Sequence, residues 1–417
     1  MQNIRQKVYQ WLRGSEGFFK TDMVYLAKGG FWLTLGQVVA SISSFLLAIA
    51  FANLLPREVY GTYKYILAIG GTLTVFTLTG MGTAVTQAVA RGLDNVLLPA
   101  FKARLQWGLV GTLVSFTGSA YYYLNDNITL SLGLLIIGIF MPVMEASVLY
   151  DSVWHGKKRF DLTTKYFVVG QLTSVSLSIL ALFFTTNVLV LVFIYFASWT
   201  FLRIIFFKRT LPQVSAEGED APATLSYGKH LSLMGVIGVV ANYADRILVF
   251  HYVGAVEAAI YSIAIAIPEQ IKGVFKNVGN LALPKFSERP EEDIQKSLWG
   301  KMGKMAIVLL MVIVLYIFAA PYVFRILFPQ YLDSIFYSQI FITSLITAVS
   351  ILPLSYLQGQ ARKKELYIFN TATPVIQLVL LFCGAYFYGV LGVIVARIVS
   401  RYISTSISMA LINRNLH

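Results

Sequence analysis

A chain of 417 residues with 57% hydrophobic residues, 13% charged ones and a mean hydropathy of +0.69 has too few charges to make a soluble surface, since soluble proteins carry roughly a quarter charged residues. Lipid must cover most of its outside, which sets the class as an all-α membrane protein. The net charge of +13 would point to nucleic acid in a soluble domain, but most of the lysines and arginines sit in short loops between apolar stretches, so no nucleic acid is expected as a partner.

The N-terminal segment, residues 1–30, carries Arg5, Lys7, Arg13, Lys20 and Lys28. The apolar run after it is too long for a signal-peptide core and no clear small-residue cleavage site follows, so an uncleaved start is expected. About 20 apolar residues span the hydrocarbon. Candidate spans fall near 31–53, 60–82, 105–124, 129–150, 164–185 and 187–207, and then near 230–254, 257–281, 303–325, 334–356, 366–388 and 390–412.

The loops between these spans test their number, because one set of alternate loops should hold the Lys and Arg. Twenty-four fall on one side: the five already named; Arg91, Lys102, Arg104; Lys157, Lys158, Arg159, Lys165; Lys208, Arg209, Lys229; Lys285, Arg289, Lys296, Lys301, Lys304; Arg362, Lys363, Lys364; and Arg414. The other side has Arg57 and Arg325. Twelve transmembrane helices with both termini cytoplasmic follow, since one helix more or fewer would scramble the alternation.

The polar stretch from Pro212 to Ser226, with Glu217, Glu219 and Asp220, divides the chain into halves of six. The expected organisation is a segment 1–30, a six-helix bundle 31–207, a cytoplasmic linker 208–229, a second six-helix bundle 230–412 and a tail 413–417. Six helices return the chain to its starting side, so the bundles are related by a pseudo-two-fold axis along the membrane normal. Duplication supports this: Tyr63, Ala68 and Ile69 align with Tyr261, Ala266 and Ile267, and His155–Arg159 (HGKKR) aligns with Gln358–Arg362 (QGQAR), each after the fourth helix of its half.

Seven basic residues remain inside helices: Lys64, Arg203, Arg246, Lys272, Lys276, Arg397 and Arg401. A charge in hydrocarbon costs several kcal/mol unless it meets a wet cavity, a partner or the headgroups, so these are candidate functional residues. Arg203 and Lys276 lie within about two turns of the cytoplasmic ends and are expected to snorkel. Lys64 is open to both a snorkelling and a cavity-lining reading.

Arg397 and Arg401 share a face of the last helix with Ser404 and Ser408. Asn242, Asp245 and Arg246 share a face of the seventh, and Glu269, Lys272 and Lys276 of the eighth, beside Pro268, which should interrupt that helix near the bilayer middle. Asp245 with Arg246, and Glu269 with Lys272, read either as static ion pairs or as parts of a wet cavity. In the second reading Arg246, Lys272, Arg397, Arg401 and Lys64 bind an anionic substrate, while Glu269, Asp245 and Glu145 exchange a proton or sodium ion.

Deep basic residues outnumber acidic ones, which favours an anionic substrate such as a phosphate ester. GxxxxGK[ST], HExxH, GxSxG and CxxC patterns are absent from the sequence, and the four histidines are scattered, so neither an enzyme, a metal site nor a cofactor is expected. The single cysteine, Cys383, reads as a small core residue.

Four stretches carry a family resemblance: LPREVYGTY from Leu55, NYADRILVF from Asn242, APYVFRILFPQYLDS from Ala320 and YGVLGVIVARIVS from Tyr388. In this order on a twelve-span chain they resemble the polysaccharide (Wzx-like, O-antigen and exopolysaccharide) flippases of the multidrug/oligosaccharidyl-lipid/polysaccharide exporter superfamily. The resemblance implies a V-shaped, MATE-like pair of six-helix bundles in the cell's inner membrane with a cationic central cavity. It implies export of an undecaprenyl-pyrophosphate-linked oligosaccharide by alternating access driven by a proton or sodium gradient, for cell-surface polysaccharide such as lipopolysaccharide. Expected partners are that substrate, membrane lipids, and a polysaccharide polymerase with its chain-length machinery. A multidrug or cation antiporter of the same fold is one rival, which the deep cations disfavour. A membrane-embedded polymerase or ligase is another, which the short external loops disfavour.

Overall fold

The computed structural model describes residues 23–214, 221–288, 291–360 and 362–413, with side chains for 29–214, 221–275, 298–360 and 362–412. The N-terminal basic cluster, the linker's Glu217, Glu219 and Asp220, and Lys285, Arg289, Lys296 and Arg414 fall outside those side chains, as does that of Lys276.

The described residues form helices without a strand, as lipid demands of a chain that must satisfy its own backbone groups. In order they are α1 (Met23–Leu54), α2 (Arg57–Leu73), α3 (Met81–Ala90), α4 (Leu97–Leu124), α5 (Ile128–Ser147), α6 (Leu149–Gly156), α7 (Phe160–Leu182), α8 (Val188–Thr210), α9 (Ala221–Tyr252), α10 (Ala255–Glu288), α11 (Glu291–Leu327), α12 (Ser334–Ile342), α13 (Ile351–Gly359) and α14 (Lys363–Asn413). The end carrying Arg57 is called the outer end, after the charge distribution of the loops.

Among the described residues nine helical stretches are long and apolar enough to span a membrane, or ten if α2 and α3 count as one bent span. Every candidate span of the sequence coincides with one of these helices or with α4. α14 holds two of them, 363–388 and 390–413, joined at Gly389, whose φ of 57° and ψ of −135° suit glycine. α2 and α3 are bent by 53° where Leu78 adopts a left-handed conformation. The expected break at Pro268 is not seen: α10 runs through it, since neighbouring helices and side chains can satisfy the carbonyl that proline frees.

α2 is wedged between α9 and α10. A Cβ on Gly61 would lie 1.7 Å from the carbonyl oxygen of Ala255, and one on Gly80 2.6 Å from the backbone of Ser232. The Gly80 amide donates to the Ser232 hydroxyl at 3.0 Å. The duplicated stretches around Tyr63 and Tyr261 thus sit on helices that pack against each other, and both tyrosines are fully buried.

The outer end is closed by a core of Phe51, Leu55, Tyr60, Phe324, Phe328 and Tyr331. Cys383, expected in the core, is exposed on an apolar groove beside Leu380 and Phe387. The outer surface of a membrane helix is as apolar as its packed face, so hydropathy does not separate them.

Candidate functional site: a cationic cavity beside a neutral ion-pair network

Three of the seven intrahelical cations converge. A cavity of about 370 Å³ lies between α2, α5, α8 and α9, lined by Lys64 and Thr74, Glu145, Tyr195 and Arg203, and Tyr243 and Arg246. The bend after α2 and the small residues Ala68, Gly70 and Gly71 on its inner face leave the room. Lys64 points over the Tyr60 ring, 5.2 Å from its centre, a cation–π contact that accepts its charge without neutralising it.

Glu145 is held twice: Arg203 Nη1 lies 2.8 Å from Oε1 and Arg104 Nη2 3.2 Å from Oε2. Arg104 also donates through Nε to the Thr77 carbonyl at 2.8 Å. Arg203 donates to the Met144 carbonyl at 3.2 Å and sits over the Trp199 ring. Two expectations change here. Arg203 does not snorkel but turns inward to Glu145, and Arg104 is a buried residue of α4 rather than a loop charge, 3% exposed. A carboxylate inside the bundle is a stronger attractor than distant headgroups, because attraction grows as the local dielectric falls.

Lys64 and Arg246, by contrast, have no carboxylate within ion-pair distance among the described residues. The cavity lining therefore carries an excess of positive charge.

Arg397 and Arg401 belong elsewhere. Both bond to Glu269, Arg397 through Nη2 at 3.0 Å. Arg397 also pairs with Asp245, which is fully buried and accepts from the Tyr261 hydroxyl at 2.6 Å and from the Arg246 amide at 2.8 Å. Arg401 donates to the Ser344 hydroxyl at 2.8 Å, and both guanidiniums flank the Phe341 ring. Lys272 adds a positive charge near Glu269. Two carboxylates meeting two guanidiniums form a locally neutral clamp that ties α9, α10, α12 and the second arm of α14 together.

The candidates thus divide in two: Lys64, Arg246 and Glu145 at the cavity, and Asp245, Glu269, Arg397 and Arg401 in the clamp, with Lys272 beside it. The expected pairing of Asp245 with Arg246 gives way to one with Arg397 of α14, because Asp245 and Arg246, adjacent in sequence, point to different sides of α9, and Glu269 is shared by Arg397 and Arg401. Sequence reasoning missed Arg104 and Arg203 as members of the site. A signal was present: Tyr195, Trp199 and Arg203 recur every four residues on one face of α8.

The fold is that of membrane transporters of the MOP superfamily. One similar solved structure is an inward-facing multidrug resistance MATE family transporter, at 13% identity over 90% of this chain and 94% of that one, TM-score 0.66. Another is the lipid II flippase MurJ in an inward closed conformation, at 13% identity, 90% and 86% coverage and TM-score 0.73. A third is a MOP superfamily transporter from Pyrococcus furiosus, described as having a binding pocket of reversed polarity, at 15% identity, 93% and 95% coverage and TM-score 0.59. Comparison with curated proteins finds no match. The family model described as polysaccharide biosynthesis protein matches residues 26–288, so the chain belongs to that family.

Proposed function

We propose that this protein flips a lipid-linked oligosaccharide of the undecaprenyl-pyrophosphate type from the cytoplasmic to the external leaflet of the inner membrane, for cell-surface polysaccharide synthesis, with both its termini in the cytoplasm. One observation carries the reading: Lys64 and Arg246 present charges with no carboxylate partner among the described residues to a cavity inside a membrane transporter fold. Buried charge is costly without a counter-charge, and an anionic diphosphate supplies it, while Tyr195, Phe196 and Tyr243 offer rings for a sugar face. Membership of a polysaccharide biosynthesis family supports the same cargo.

Alternating access coupled to a proton or sodium gradient supplies the driving force in this reading, and a polymerase with its chain-length machinery consumes the flipped units. Chemistry on the sugar is left to those partners.

The test is genetic and biochemical together. Arg246→Ala or Lys64→Ala, at parental expression, should abolish surface polysaccharide while lipid-linked repeat units accumulate inside. Normal polymer from both variants would refute the assignment, and drug efflux that survives them would favour the antiporter.

A further inference from the structure

On the far side of Arg203 lies a second chamber of about 330 Å³, walled by α1, α6, α7 and α8. Arg203 lines both spaces, so its guanidinium and Glu145 partition them. Into this second chamber α6 presents Asp151 and His155, one turn apart, with a carboxylate oxygen 3.7 Å from imidazole Nε2. Their side chains are 38% and 34% exposed, so neither is sealed inside the packed helices.

This pair differs in kind from the carboxylates within the helical bundle. Glu145, Asp245 and Glu269 are each gripped by guanidiniums, and neutralising one would strand a buried cation, at a cost of several kcal/mol. The ion-pair partner of Asp151 is an imidazole, a group that can be neutral or charged, rather than a guanidinium. Either protonation state of the pair leaves no buried charge isolated from water.

The titratable and charged groups packed around it are few among the described residues. Arg203 on α8 shares the chamber. Tyr166 on α7 meets the Tyr150 ring edge-on and stacks on Phe206. α1 contributes Gln37, and α3 contributes Thr86, bonded to the Ser152 carbonyl. In the turn that follows, Lys157 is paired with Asp94 and Arg159 with Asp161.

We propose that Asp151 and His155 form a proton-exchange station whose charge is linked to the occupancy of the central cavity through Arg203. An anion arriving beside Lys64 and Arg246 also attracts Arg203, and thereby offsets the positive charge that faces the pair. A proton from bulk water then binds to the imidazole or the carboxylate, and returns to water when the anion leaves. The linkage rests on the anion-binding reading of the central cavity.

The experiment is calorimetric titration of inorganic pyrophosphate into the detergent-solubilised full chain at about pH 7, in two buffers of different ionisation enthalpy, which together count the protons exchanged. Proton uptake is expected with the parent. In Asp151→Asn and His155→Gln that uptake should fall by at least half, with pyrophosphate affinity changed by no more than about threefold. Asp151→Glu, which keeps the charge, should restore it, and this separates proton exchange from a structural role. Pyrophosphate binding with the same proton count in all variants overturns the station alone. Absence of pyrophosphate binding by the parent overturns the cavity reading and the station with it.

Discussion

The outer end is fastened by a clasp between segments some 275 residues apart. Arg57 Nη1 lies 3.0 Å from Asp333 Oδ2, and its Nη2 donates to the Gln330 carbonyl. Its guanidinium also faces the Tyr331 ring at 5.3 Å. Asn53 donates to the Leu327 carbonyl at 2.8 Å and Gln330 to the Asn53 carbonyl at 3.1 Å. If the outer end must open to release cargo, removing the arginine should favour opening.

An exposed ion pair contributes about 0.2–1 kcal/mol, a hydrogen bond about 0.5–1.5 kcal/mol and an exposed cation–π contact about 0.5–1 kcal/mol. Arg57→Ala loses all three, about 1–3 kcal/mol, which corresponds to roughly a 5- to 150-fold shift toward the open form. Asp333→Asn loses the ion pair alone, so its shift is about fivefold at most. Spin labels at Leu54 and Leu332, both exposed at this end, would report the two populations by pulsed electron resonance distances. The reasoning is refuted if Arg57→Ala leaves the distance distribution unchanged, or if Asp333→Asn opens the protein more than Arg57→Ala does.

Other predictions follow from the packing. Asp245→Ala leaves Glu269 alone against the buried Arg397 and Arg401 and should lower stability by about 3–5 kcal/mol, read as a fall in the melting temperature; the double variant Asp245→Asn with Arg397→Met should recover much of it. Gly61→Ala places a methyl group against the Ala255 carbonyl and should cost about 1–3 kcal/mol through overpacking, visible as reduced monodisperse yield on size-exclusion chromatography. Arg246→Ala should weaken pyrophosphate binding about 10- to 150-fold by loss of one charged contact, whereas Arg401→Ala, in the neutral clamp, should change it by less than about threefold.

The membrane class, the positions of the spans and the excess of deep positive charge were legible in the sequence, because hydrocarbon imposes length and apolarity on each span separately and loop charge imposes orientation. Lys64 and Arg246 were legible as cavity candidates for the same reason: a lone cation in an apolar helix demands an explanation that needs no knowledge of its neighbours. Which carboxylate neutralises which cation was not legible. Helical spacing groups residues on one helix, yet Glu145 is shared by Arg104 and Arg203, and Glu269 by Arg397 and Arg401, across gaps of 41 to 132 residues. Those gaps close only when helices pack, and ion-pair energy falls off over a few ångströms. So the sequence by itself determined that this protein spans a membrane and carries more positive than negative charge within it. Tertiary structure alone decided which cations are neutralised by carboxylates from other helices and which, Lys64 and Arg246, line the cavity with no carboxylate partner among the described residues.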